Sequence, residues 1–221
     1  MKWSRLKRYG WSRRIVHLAL LFFVAIAPAA DASPRAPLIW AFGDSLSAGY
    51  GLPPAAGFTA RLQVALRQAG VAATVRNGGV SGDTAAQARA RLRWGLRGLG
   101  ATPDLVIVEL GANDMLRGLP VPQAKANLDA ILTELRNRRI PVLLAGMRAA
   151  PNLGTDYVQA FDGMYPALAA KHRVPRYPFF LDGVAGNPRL LQADGLHPNP
   201  RGVDIIIARL LPSVRQALKG K

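Results

Sequence analysis

The sequence predicts an α/β protein: a mostly parallel five-stranded sheet between two layers of helices, a three-layer α/β/α sandwich. Two observations predict it. From residue 38 onward, short apolar runs alternate with longer segments of helical spacing. That alternation marks parallel α/β architecture, whose right-handed crossovers set helices on both faces of the sheet. Several of the apolar runs also stop at glycine, at Gly43, Gly78-Gly79 and Gly111, as strands do where a tight turn leads into the next element.

The elements follow in order. Residues 33–37 are a short Pro-containing lead-in, and residues 38–42 (Leu-Ile-Trp-Ala-Phe) read as the first strand. Residues 58–69 place Phe58, Leu62, Ala65, Leu66 and Ala69 at helical spacing and stop at Gly70, a residue suited to follow a helix end. Residues 73–77 make a second strand. Residues 84–97, rich in Ala and Arg, make a second helix. Residues 105–110 are a continuous apolar strand, preceded by Pro103 and Asp104 and closed by Gly111. An amphipathic helix over 123–138 and a fourth strand over 141–145 follow. Residues 156–171 read as a helix that Pro166 kinks or breaks. Residues 176–180 are a fifth strand, which Pro178 demotes to a sheet edge. Residues 201–218 form the closing helix, interrupted by Pro212. No repeat, low-complexity segment or internal linker breaks the series.

The first 32 residues stand apart. Six basic residues (Lys2, Arg5, Lys7, Arg8, Arg13, Arg14) precede an almost wholly apolar run over 15–27, and Ala30-Asp31-Ala32 supplies small residues for a peptidase. This is the pattern of a secretory signal peptide, with an apolar run shorter than a comfortable membrane span. Cleavage after Ala32 fits best, with Ala29 or Ala30 as alternatives. A retained N-terminal anchor, or twin-arginine export through Ser12-Arg13-Arg14, are the competing readings. The expected organisation is thus a signal peptide at 1–32 and one domain at 33–221, in a periplasmic or secreted protein.

The chain of 221 residues carries a formal net charge of +16. Residues 33–221 keep 23 basic against 12 acidic residues. Such a surface attracts anionic head groups, acyl-CoA phosphates or nucleic acid. Only six of the 29 basic residues are lysine, and the arginines are spread along the chain. No basic stripe interleaved with aromatics argues for nucleic-acid binding. The chain has no cysteine, which excludes a thiol nucleophile, thiolate zinc sites and any reliance on disulfides.

Strand-end loops of a parallel sheet open on one rim, so residues distant in sequence can meet there. Four such segments carry reactive groups: Gly43-Asp44-Ser45, Ser81-Gly82-Asp83-Thr84, Gly111-Ala112-Asn113-Asp114, and Asp194 to His197. Ser45 stands in a glycine-flanked turn after the first strand, where such a sheet presents a nucleophile; a helix cap is the plainer alternative. Of three histidines, His17 lies in the leader and His172 at the end of a polar helix, where a cation suits the helix dipole. His197 is left as candidate base, in a loop stiffened by Pro198 and Pro200. Asp194, three residues earlier, projects to the same side on a tight turn. There it can accept from Nδ1–H and turn Nε2 toward the serine; an ordinary Asp-Gly turn is the alternative. Asn113, through its amide, and Gly82, through its N–H, are candidate donors to an oxyanion; a left-handed turn residue and a plain loop glycine are the alternatives.

These four blocks, in this order and across nearly the whole of residues 33–221, resemble those of the GDSL/SGNH hydrolases. The runs Gly-Asp-Ser-Leu-Ser-Ala-Gly-Tyr and Val-Glu-Leu-Gly-Ala-Asn-Asp are most similar to the periplasmic multifunctional thioesterase I/protease I/lysophospholipase group, often labelled arylesterases. The resemblance implies a flavodoxin-like SGNH hydrolase fold. It implies Ser45 as nucleophile, Asp194 and His197 as acid and base, and Gly82 and Asn113 with the Ser45 N–H as oxyanion donors. It further implies a mobile segment over 115–122 that gates an acyl channel, with Met115, Leu116, Leu119 and Pro120 against the substrate. Ala112 departs from the pattern, since relatives of this group often carry a second glycine there; a stiffer gate with unchanged chemistry is the expected consequence.

The expected activity is hydrolysis of carboxylic esters and thioesters (fatty-acyl esters, acyl-CoA, aryl esters, lysophospholipids) through an acyl-enzyme on Ser45, without cofactor or metal. The expected partners are these small molecules, with transient membrane-surface contact and no nucleic acid, for a monomer. A carbohydrate O-deacetylase with the same triad and a non-catalytic α/β binding protein are the rival readings. A metal-dependent phosphoesterase is more distant, because one site histidine is thin for a two-metal cage.

Overall fold

Five strands form one sheet in the order β2-β1-β3-β4-β5: β1 (Leu38–Gly43), β2 (Thr74–Asn77), β3 (Leu105–Glu109), β4 (Val142–Ala145) and β5 (Arg176–Tyr177). Every pair is parallel, with Trp40 opposite Arg76 on one side and Val106 on the other. The computed structural model describes Met1 and residues 35–220. The expected signal peptide and its cleavage site fall outside them. Among the described residues, no helix is long and apolar enough to cross a membrane.

The central strands are buried on both faces, which is why they read as unbroken apolar runs rather than alternating ones. All six residues of β1 and all five of β3 are buried. Each large aliphatic or aromatic side chain so removed from water contributes about 1.5–3 kcal/mol. Edge strand β2 (Thr-Val-Arg-Asn) is only partly covered. The fifth strand is shorter than expected, two residues instead of five. Pro178 has no N–H for the ladder, and its carbonyl is turned toward the Arg176 side chain instead.

The helices gather in two groups. α2 (Phe58–Gln68) packs on α7 (Pro200–Lys219), while α3 (Ala85–Gly98), α5 (Val121–Asn137) and α6 (Thr155–His172) pack side by side. The prolines at 166 and 212 do not break their helices. α6 runs through Pro166 and α7 through Pro212. A mid-helix proline costs roughly 3 kcal/mol. In α6 the buried Phe161, Met164, Tyr165 and Leu168 flank it, and in α7 Ile206, Ile207, Leu210 and Val214. Their combined burial outweighs one broken turn.

The sheet order fixes where a site can form. The chain leaves β1 outward to β2, then returns to β3 on the other side of β1. The crevice beyond the C-terminal ends of β1 and β3 is therefore the switch point of the sheet, the place where open α/β sheets bind ligands.

Candidate active site

Two short helices missed by the periodicity reading stand at that switch point: α1 (Ser45–Ala48) after β1 and α4 (Ala112–Leu116) after β3. Ser45 is the first residue of α1. Asp44 caps it, its Oδ1 accepting the Leu46 N–H at 3.0 Å, and Gly49 ends it in a left-handed conformation (φ 80°). Only glycine fits at position 43. A Cβ there would collide with the Ser47 hydroxyl, the Glu109 carboxyl and the Glu109 carbonyl. Asn113 is the second residue of α4, which starts from Gly111 at φ 113°. A Cβ on Gly111 would strike the Tyr165 hydroxyl, itself bonded to the Leu110 carbonyl at 2.9 Å.

His197 arrives from the segment between β5 and α7. That segment is pinned by an antiparallel bridge between Leu191 and Pro198 and by the Gln192 N–H on the His197 carbonyl at 2.7 Å. The Gln192 side chain donates to the Tyr50 carbonyl at 2.8 Å and the Pro198 carbonyl at 3.1 Å, tying the histidine loop to the chain just past α1. The Tyr50 ring lies 4.6 Å from the imidazole, centroid to centroid.

The result is a linear relay. His197 Nδ1 is 2.6 Å from Asp194 Oδ2, and His197 Nε2 is 2.8 Å from Ser45 Oγ. Oδ1 of Asp194 accepts the backbone N–H groups of Leu196 (2.9 Å) and His197 (3.0 Å). These donors, the Leu196 N–H foremost and then the His197 ring, hold the Asp194 carboxyl down to about 2. An ionised carboxylate on Nδ1–H leaves Nε2 as the acceptor for the serine proton.

The candidate oxyanion donors belong to Ser45, Gly82 and Asn113, which line one cavity. Among the described residues, the N–H groups of Ser45 and Gly82 have no protein acceptor. The Asn113 amide differs: Nδ2 donates to Asp44 Oδ2 and to the Asp83 carbonyl, both at 3.1 Å. Both its hydrogens are thus engaged, and one bond must yield or be shared before the amide can serve a developing charge.

Beneath Ser45 lies a buried acid pair that the sequence reading did not single out. Glu109 is fully buried; Oε2 accepts the Ser47 hydroxyl at 2.8 Å and Oε1 has no hydrogen-bond partner among the described residues. Burial, and secondarily the charge of Asp44, push the Glu109 carboxyl well above the usual carboxylate range. Burial also raises Asp44 to about 6, against the pull of the Leu46 N–H.

The relay opens into a cavity of about 280 Å³ with largely apolar walls, including Leu46, Met115, Met147 and Leu181, and with Tyr50, Leu116 and Leu196 at half-exposed positions. Of the expected acyl contacts, Met115 and Leu116 line it. Leu119 and Pro120 do not, because the chain turns away after α4: the Leu119 N–H returns to the Asp114 carbonyl (2.9 Å) and its carbonyl accepts the Tyr157 hydroxyl. Ala112, the departure from the family pattern, also lines the cavity. The sequence reading missed Met147 and Leu181; they come from loops after β4 and β5 that carry no motif.

Residues 41–205 match the GDSL-like lipase/acylhydrolase family, a span holding Ser45, Gly82, Asn113, Asp194 and His197. The chain is 39% identical over 183 residues to an arylesterase of Vibrio mimicus, covering 83% of this chain and 89% of that protein. It is 38% identical, again over 183 residues, to thioesterase 1/protease 1/lysophospholipase L1 of Escherichia coli K12, covering 83% and 84%. The crystal structure of AlinE4, an SGNH-hydrolase family esterase, superposes with a TM-score of 0.71 at 48% identity, covering 84% of this chain and 98% of that one. The chain belongs to the GDSL-like lipase/acylhydrolase family and is a serine hydrolase acting on esters.

Proposed function

We propose that this protein is an exported esterase that cleaves fatty-acyl esters and thioesters through an acyl-enzyme on Ser45. The observation that carries the reading is the unbroken run Asp194–His197–Ser45, with contacts of 2.6 and 2.8 Å, at the mouth of an apolar cavity. His197 Nε2 takes the hydroxyl proton as Ser45 Oγ attacks the acyl carbon. Asp194 stabilises the imidazolium across Nδ1–H. The oxyanion falls to the N–H groups of Ser45 and Gly82, joined by the Asn113 amide. The imidazolium then protonates the departing alcohol or thiol, and water attacks the acyl-serine by the same path in reverse.

The cavity walls support an acyl chain longer than acetyl, since apolar surface gains only from apolar partners. Export is supported by the basic leader and apolar run over residues 1–32. Mass mapping after fluorophosphonate treatment is expected to find the label on Ser45, and activity on p-nitrophenyl esters to rise from acetyl to octanoyl. Unlabelled Ser45 would end the hydrolase reading. Maximal activity on acetyl would transfer the case to an O-deacetylase.

A further inference from the structure

Arg91 stands on α3, outside the four motif blocks, yet its guanidinium reaches three strand-end segments at once. Nε donates to the Asp83 carboxylate, Nη1 to the Gly78 carbonyl at 2.9 Å and Nη2 to the Gly43 carbonyl at 2.8 Å. Its Cζ lies 4.4 Å above the Phe42 ring. Two other arginine–carboxylate pairs are different in kind. Arg61–Asp204 and Arg209–Asp182 are about half exposed on both sides, whereas Arg91 and Asp83 are only 20% and 10% exposed. Exposed pairs of that sort contribute about 0–1 kcal/mol. Arg91 alone among these three also carries two main-chain carbonyls at strand ends.

Those contacts coincide with the oxyanion donors. Gly43 is two residues before Ser45. Asp83 follows Gly82, and its carbonyl receives the Asn113 amide. Gly78 begins the turn that leads to Gly82, in which the Val80 N–H returns to the Gly43 carbonyl at 3.1 Å and the Asp83 N–H to the Val80 carbonyl at 3.1 Å. The three donors come from three loops that share no covalent neighbour, and an oxyanion hole works only when its donors are fixed before charge develops.

We infer that Arg91 is a positioning residue for ester cleavage: its guanidinium fork locks the Gly43, Gly78 and Asp83 segments together and so sets the spacing of the Ser45, Gly82 and Asn113 donors. The inference rests on the hydrolase reading above. Lysine cannot replace it, because one ammonium has no planar fork to meet three acceptors.

The test compares wild type, R91K and R91A on one p-nitrophenyl ester, with active sites titrated by a fluorophosphonate and folding followed by circular dichroism. Expected is a fall in kcat per titrated site of about 10²-fold in R91A, the size of losing one oxyanion donor, with KM within threefold, and a smaller fall in R91K. Guanidinium ion at non-denaturing concentration is expected to restore at least tenfold of the R91A loss, where an alkylammonium does not. A merely structural ion pair would lower the melting temperature and leave kcat per site at the wild-type value; that result overturns the inference. Should R91A not fold, R91K decides by the same criterion. A wild-type protein with neither turnover nor labelling would instead strike the hydrolase reading itself.

Discussion

Asp194 and Glu109 carry the same functional group, and each is bonded into the segment that holds or activates Ser45, yet their surroundings make them opposites. Asp194 lies in a surface loop and receives three donors, which hold its carboxyl down to about 2. Glu109 lies at the end of a central strand, and burial pushes it up against the pull of the Ser47 hydroxyl and the Asp44 and Ser47 N–H groups, with Oε1 unpartnered among the described residues. Donors favour the charged form and desolvation the neutral one. The difference teaches which acid acts on charge and which acts as packing: Asp194 can answer an imidazolium, whereas Glu109, which burial disposes against carrying charge, braces α1 through the Ser47 hydroxyl.

The largest expected effect tests whether both serve one hydroxyl. Ser45→Ala should lower kcat by about 10⁴-fold or more with an unchanged circular dichroism spectrum. Turnover near the wild-type rate would detach both acids from any reaction. Next, Asp194→Asn should cost on the order of 10³–10⁴-fold in kcat, since the amide favours the wrong imidazole tautomer. Ester hydrolysis within tenfold of wild type would mean that the Asp194 charge is not used. Glu109→Gln, which mimics a protonated acid, should change kcat by less than about threefold. Glu109→Ala removes the Ser47 acceptor and leaves a void, and should destabilise by about 2–4 kcal/mol in denaturant unfolding.

The smallest effect sharpens the contrast through pH. A carboxyl raised by folding gives stability that is full below its unfolded value and lost as pH rises toward the folded one. Wild type should therefore lose stability relative to Glu109→Gln as pH rises from about 4.5. Asp44, raised to about 6, adds a similar loss between its ordinary value and pH 6. Asp194 has the reverse sign: its contribution holds above its ordinary value and disappears as pH falls toward 2. Melting curves of wild type and Glu109→Gln that run parallel from pH 4 to 8 would mean Glu109 titrates normally.

Much of the fold was legible because its signals are local. Strand β1 could be read from Leu38 to Phe42 because a strand buried on both faces is a plain apolar run, and Gly43 marks its end because no Cβ fits there. The helices α1 and α4 were not legible. Four or five residues give too little periodicity, and their signals are single residues, Asp44 as a cap and Gly49 or Gly111 as left-handed ends. The prolines misled for the opposite reason. Pro166 and Pro212 carry a local penalty that the sequence states, while the packing that overrides it is spread over residues from other elements.

The site divides along the same line. By itself the sequence determined the alternation that makes the sheet, the glycines that close its strands, and four reactive blocks in an order that points to ester cleavage. Only the tertiary structure decided that Asn113 spends both amide hydrogens, that Leu119 and Pro120 are not part of the cavity wall, that Glu109 is sealed from water, and that Arg91 spans three loops. Turn and strand preferences are properties of neighbouring residues. Burial, electrostatic environment and cross-loop distance are sums over the whole chain, and they exist only once it has closed on itself.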